Sequence, residues 1–147
     1  MKRNLKYVLL AAGADPADIA FGNTIKKARD IAWAHSVGIP LFSVDAEEEI
    51  AKVAEHAPGA QVYIRLLVMA TEADWPLSRK VGCAPEMALE LMGRARMLGL
   101  RPVGVSFHVG SQTRRAAGFL VVALEAGAIA GALGGGRFFE AVGGNVP

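Results

Sequence analysis

Cysteine, histidine, aromatic rings and charge imbalance are all scarce in this chain. Cys83 is the single cysteine among 147 residues, so no disulfide can form within the chain, and a reducing, cytoplasmic compartment is the expectation. Histidine occurs only at positions 35, 56 and 108, a scatter with no metal-ligand spacing. Sixteen Lys and Arg against fourteen Asp and Glu leave a formal charge of +2. That excess is spread along the sequence, which argues against nucleic acid or an acidic membrane surface as partner. No Ser–His–Asp order, two-carboxylate spacing or Rossmann glycine fingerprint is present. What is abundant is apolar: 52% of residues, with 20% charged. Such a chain is globular rather than disordered, and its length suits one domain with a real core.

Two apolar stretches need excluding as targeting or membrane segments. Tyr7 to Ala12 follows a basic start but is short and runs into Gly13-Ala-Asp15-Pro16 without a cleavage site, so a signal peptide is not expected. Ala116 to Gly136 is long enough to span a membrane, with Glu125 as its only charge. Glu125 lies near the middle and glycines interrupt the run, so a buried helix is the expectation.

Short apolar runs alternate with longer amphipathic ones. Strands are expected at Ile19–Phe21, Pro40–Val44, Gln61–Val68 and Pro102–Val109. Helices are expected at about Ile25–Ser36, Ala46–His56, Pro85–Leu98 and Arg114–Leu133. Asp45 followed by Glu48 has the spacing of a capping box, and Pro85 suits a first helical turn. Gly38, Gly59 and Gly99 fall just past three helices, where a left-handed residue is wanted. This alternation predicts a parallel sheet with helices outside. A complete eight-unit barrel takes ~250 residues, so four or five units make either a small open α/β sheet or a partial barrel.

Four places can carry chemistry. Period two in Val103 to Ser111 sends Val103, Val105, Phe107 and Val109 to one face, and Gly104, Ser106, His108 and Gly110 to the other. His108 then stands at the C-terminal end of its strand, where parallel α/β folds bind ligands, and Gly110-Ser111 offers a backbone N–H and a hydroxyl to a phosphate. Arg65 interrupts an apolar strand; pointing inward, it meets a phosphate or carboxylate, and pointing outward, an acid or solvent. Gly134, Gly135 and Gly136 form either a phosphate-wrapping turn or a flexible tail. Lys26, Lys27 and Lys80 are lysines without any sign of the desolvated setting that activates an amine. Glu47, Glu48 and Glu49 read as a solvated helix face, and His35 and His56 as solvent-facing.

Ala11-Ala-Gly-Ala-Asp-Pro16, Phe21-Gly-Asn-Thr-Ile-Lys-Lys27, Asp30-Ile-Ala32, Trp75-Pro-Leu-Ser-Arg-Lys80 and Gly104-Val-Ser-Phe-His-Val-Gly-Ser-Gln112 together resemble the ornithine/diaminopimelate/arginine decarboxylases, nearest the ornithine branch. The resemblance covers roughly residues 6 to 112, while 113–147 diverge. It implies a partial (β/α)8 barrel of the alanine-racemase-like type over residues 1–147, with pyridoxal 5′-phosphate as cofactor. It further implies decarboxylation of a basic amino acid, ornithine to putrescine, in polyamine synthesis. His108 would stack on the pyridine ring, Ser111 and Gly134 to Gly136 would hold phosphate, and Arg65 would line the pocket. The family's cofactor-linking lysine belongs to an earlier strand than these, and its β-rich domain follows the barrel, so the isolated chain is expected to be inactive. The alternatives are a non-catalytic phosphate-binding or self-associating barrel fragment, and, as a complete enzyme, a diaminopimelate decarboxylase or an alanine-racemase-like protein. Self-association is expected through open sheet edges.

Overall fold

The computed structural model describes residues 9–67, 82–107, 131 and the backbone of 137–140. The elements run β1 (Ala20–Phe21), α1 (Ala28–Ser36), β2 (Leu41–Val44), α2 (Glu47–His56), β3 (Gln61–Arg65), α3 (Pro85–Met97), β4 (Arg101–Phe107) and β5 (Arg137–Glu140). All neighbouring strands pair in parallel, and their order in the sheet is their order in the chain. Helix α1 packs on α2 and α2 on α3, while α2 lies on β2 and α3 on both β3 and β4. A doubly wound sheet reverses its strand order and covers both faces with helices. Sequential order with α1, α2 and α3 together on one face is instead the wall of a barrel.

Alternation along the strands makes this wall two-sided. Phe42 and Val44, Val62 and Ile64, and Val105 and Phe107 face the helices. They meet Ile31 and Ala34 of α1, Ile50 and Val53 of α2, and Ala88, Leu91, Met92 and Ala95 of α3, which recur at helical spacing. The rings of Phe21 and Phe42 pack 5.9 Å apart at the β1 end of this core. The opposite face carries Ser43, Tyr63, Arg65, Gly104 and Ser106, placed together by the pairs Ser43–Tyr63, Tyr63–Gly104 and Arg65–Ser106.

Several expectations hold. Pro85 occupies the first turn of α3, and Gly38, Gly59 and Gly99 take positive φ after their helices. The expected split of β4 into an apolar and a small-polar face is found at Gly104 to Phe107. Val103, however, is only half-buried: the β3–β4 register slips there, so Val62 pairs with Pro102 and Tyr63 with Gly104, and Val103 falls between the pairs.

Other expectations are corrected. Helix α1 begins at Ala28 rather than near Ile25, because the carbonyls of Asn23 and Thr24 turn to a buried ammonium instead of starting a helical ladder. Strand β3 ends at Arg65; Leu66 makes an isolated bridge to Cys83. Ala46, with no side-chain cap, opens α2. Asp45 is not a capping-box residue: its carboxylate accepts a hydrogen bond from the Gly82 N–H at 2.9 Å, tying the end of β2 to the chain beyond β3. The expected helix at Arg114–Leu133 and the end of the Pro102–Val109 run lie outside the described residues, apart from Gly131, which is helical.

Candidate functional site

Strands β2, β3 and β4 end in register, and their C-terminal ends define the ligand-binding edge of such a wall. Arg65 is the last residue of β3 and pairs with Ser106 of β4. Its parity puts it on the face away from the helices. Ser106 is 2% exposed, and its hydroxyl has no hydrogen-bond partner among the described residues. An unmatched buried hydroxyl is costly, and this one belongs to the residue paired with Arg65 across the sheet.

Tyr63 sits two residues before Arg65 on the same face, between Ser43 and Gly104. It is 8% exposed, yet it takes no part in the apolar core between sheet and helices. Burial pushes its phenol pKa up, with Ser43 and Arg65 acting in the opposite direction. The phenol is therefore protonated and a donor at neutral pH. In the sequence Tyr63 is one more residue of an apolar strand; its place between Ser43 and Gly104 is set by the sheet register, including the slip at Val62/Tyr63.

A second polar cluster lies at the ends of β1 and β2, on the helix side. The Lys26 ammonium is fully buried and donates to the carbonyls of Asn23 at 3.0 Å, Thr24 at 3.1 Å and Ser43, and pairs with Glu49 Oε2 at 3.2 Å. Glu49 Oε1 accepts from the Lys26 backbone N–H at 3.3 Å and from Lys52. The Lys52 ammonium in turn donates to the Lys26 carbonyl at 2.8 Å. The Lys26 ammonium stands 5.7 Å above the Phe21 ring. Glu49, 5% exposed, is thus not part of a solvated face, unlike Glu47 and Glu48. Loss of water holds the Lys26 pKa below the ordinary lysine range despite Glu49. Two ammonium groups and a backbone N–H outweigh burial at Glu49 and hold its pKa down. The two partners shift differently because the carboxylate gathers two cations, while at the more deeply buried lysine loss of water outweighs the attraction of Glu49 and Asp45, which Lys52 opposes. Lys26 is desolvated after all, but its hydrogen bonds go to carbonyls and a carboxylate, so it acts as a strut that fixes the β1–α1 loop to α2.

Elsewhere, burial and the Asp45 charge push the Cys83 thiol up to about 11, which leaves it unreactive. His35 is exposed, and His56 is half-buried, 3.7 Å from Glu55. Among the described residues no group of acids, histidines and cysteines can hold a metal ion, and no helix is long and apolar enough to cross a membrane. His108, Ser111, Gly134, Gly135, Gly136 and Lys80 lie outside the described residues.

A one-sided parallel wall whose inner face carries a guanidinium, a protonated phenol and an unmatched hydroxyl at its C-terminal edge is a segment of a ligand-binding (β/α)8 barrel. Residues 2–130 match the family described as pyridoxal-dependent decarboxylase, pyridoxal binding domain, and the chain belongs to that family. It is 35% identical over 112 residues to the lysine/ornithine decarboxylase of Selenomonas ruminantium, covering 76% of this chain and 28% of the relative. It is 38% identical over 111 residues to ornithine decarboxylase 2 of Drosophila melanogaster, covering 75% and 28%. Among solved structures, lysine decarboxylase from Selenomonas ruminantium superimposes with a TM-score of 0.78 at 31% identity, covering 95% of this chain and 40% of that one. The arginine decarboxylase of Paramecium bursaria Chlorella virus, at 24% identity and a TM-score of 0.81 over 92% of this chain and 38% of that one, shares the fold. The chain spans about a quarter of the length of the curated relatives it matches. The family's cofactor is pyridoxal phosphate, and its anionic oxygens fit the donors on the inner face: Arg65 and the hydroxyls of Tyr63 and Ser106 include no carboxylate that would repel it.

Proposed function

We propose that this chain forms part of the cofactor-binding barrel of a pyridoxal-phosphate-dependent decarboxylase of basic amino acids, with ornithine as substrate and putrescine as product. Arg65 carries the reading: a charged residue at the end of a buried strand, on the face away from the helices and paired with Ser106, whose buried hydroxyl has no hydrogen-bond partner among the described residues. Ornithine decarboxylases of Nicotiana glauca and Drosophila melanogaster among the relatives support the substrate, while the lysine and arginine decarboxylases keep the class at basic amino acids. When bound, pyridoxal phosphate supplies the electron sink for loss of the carboxylate. The protein's part is to hold and orient it. Arg65 supplies charge-assisted hydrogen bonds to an anionic oxygen. In this reading His108 stacks on the ring, and Ser111 with Gly134, Gly135 and Gly136 takes the phosphate.

Because the chain spans about a quarter of its relatives, binding rather than turnover is the quantity to measure. Titration with pyridoxal phosphate should give a saturable change in cofactor absorbance. Arg65→Ala should weaken it by about tenfold or more, the scale of a lost charge-assisted bond, and His108→Ala should remove the spectral change. Absence of saturable binding would sink this reading.

A second reading, self-association, has its own observation. Among the described residues β1 and β5 are the outer strands, each paired on one side, and β1 has only two residues. Unpaired strand edges recruit further strands, and a closed dimer is the simplest result. Light scattering on a sizing column should show a dimer; a clean monomer across concentrations counts against it.

A further inference from the structure

We propose that Tyr63 is a second binding residue beside Arg65, its hydroxyl donating a hydrogen bond to an anionic oxygen of the bound cofactor. This rests on the reading of the chain as a pyridoxal phosphate site and adds a residue to it.

The placement comes from register. Tyr63 is flanked across the sheet by Ser43 and Gly104, two small residues that leave room for a ring on the inner face. The ring reaches toward β1: a Cβ added at Gly22, just past that strand, would stand 3.6 Å from the Tyr63 hydroxyl. The hydroxyl is thus carried from the middle of β3 to the C-terminal edge of β1 and β2, where ligands of such walls bind. Arg65 follows on the same face of the same strand, near enough to influence the phenol electrostatically. Beyond Arg65, on β4, comes the buried and unmatched Ser106 hydroxyl. The row is a donor, a cation and a second hydroxyl. An anionic oxygen set against this row gains from all three groups. In pyridoxal phosphate that oxygen belongs either to the ring or to the phosphate.

The test compares the chain with its Tyr63→Phe variant, which keeps the ring and deletes the hydroxyl, by titration with pyridoxal phosphate, pyridoxal and inorganic phosphate. Affinity for pyridoxal phosphate should fall about tenfold, as for a lost hydrogen bond to a charged group. A parallel loss for pyridoxal assigns the contact to the ring oxygen, and a parallel loss for inorganic phosphate assigns it to the phosphate. Equal affinity of Tyr63→Phe and the parent chain for pyridoxal phosphate overturns the proposal while leaving the cofactor reading intact. A parent chain that binds none overturns that reading, and this proposal with it. Should Tyr63→Phe fail to fold, Gly22→Leu extends a branched side chain beyond a Cβ that would stand 3.6 Å from the hydroxyl, crowds it, and should produce the same loss; unchanged affinity there counts against the proposal.

Discussion

Glu49→Ala should unfold the chain more than any other single surface-to-core change on α2, at a cost of ~3–5 kcal/mol. The carboxylate itself contributes little of that in isolation, since burying an ion pair costs most of what its attraction returns. The damage comes from the ammonium left behind. Lys26 has no solvent exposure at its side chain, and without Glu49 it loses its ion-pair partner and keeps only three carbonyls, the Phe21 ring and the attraction of Asp45, which Lys52 opposes. Domains of this size hold only about 5–15 kcal/mol in total, so a large share of the stability goes. The double replacement Lys26→Met with Glu49→Leu removes both charges together and should lie much closer to the parent chain than either single change. Urea unfolding of the four proteins gives the coupling directly. Additive single effects would mean that Lys26 and Glu49 do not act as a pair.

The same cluster sets an acid limit. Lys52 and Lys26 hold the Glu49 pKa below the ordinary glutamate value of 4.5. Its stabilising share is therefore present above 4.5 and disappears as pH falls through the lower folded value. Lys26 works in the other sense: its folded pKa lies below 10.5. The cost of burying its charge is full below that folded value and vanishes as pH rises to 10.5. A Glu49→Gln chain should lose the acid-side slope that the parent shows.

The wall of the barrel was readable in the sequence because its period is simple. Two-residue alternation in Gly104–Phe107, and helical spacing at Ala88, Leu91, Met92 and Ala95, are local signals with one packing solution each. Arg65 stands out in the sequence for a related reason: it is one charge in an otherwise apolar strand. What escaped depends on partners distant in sequence. Glu49 looks like its neighbours Glu47 and Glu48 until a lysine 23 positions earlier reaches it, and a run of three acids carries no mark of which one turns inward. Asp45 has the spacing of a cap, yet the Gly82 N–H, 37 positions on, outbids the local one. Tyr63 reads as a strand-forming apolar residue, and only the β2–β3–β4 register shows it between two small neighbours.

Gly82→Ala should be the most damaging change a single methyl can make among the described glycines. At Gly59 and Gly99, φ is +76° and +80° with nothing within 4 Å of an added Cβ, so alanine meets only the left-handed penalty of roughly 1–2 kcal/mol. Gly82 adds to this a collision. Its φ is +123°, and a Cβ there would lie 2.7 Å from the Leu67 nitrogen and 2.8 Å from the Leu66 carbonyl carbon. Both are backbone atoms that cannot rotate away. The strand end would have to shift, breaking the Leu67 N–H bond to the Cys83 carbonyl at 2.8 Å, the Cys83 N–H bond to the Arg65 carbonyl at 2.8 Å and the bond from Gly82 to Asp45. With crowding at about 1–3 kcal/mol on top of the backbone term, the total is about 2–5 kcal/mol. Because Arg65 is one of the residues pinned there, pyridoxal phosphate affinity should fall along with stability, whereas Gly59→Ala and Gly99→Ala should leave affinity unchanged. Thermal melts and cofactor titrations on the three variants separate the two effects. If Gly82→Ala matches the other two in both measurements, the junction between β3 and Cys83 is not what holds Arg65 in place.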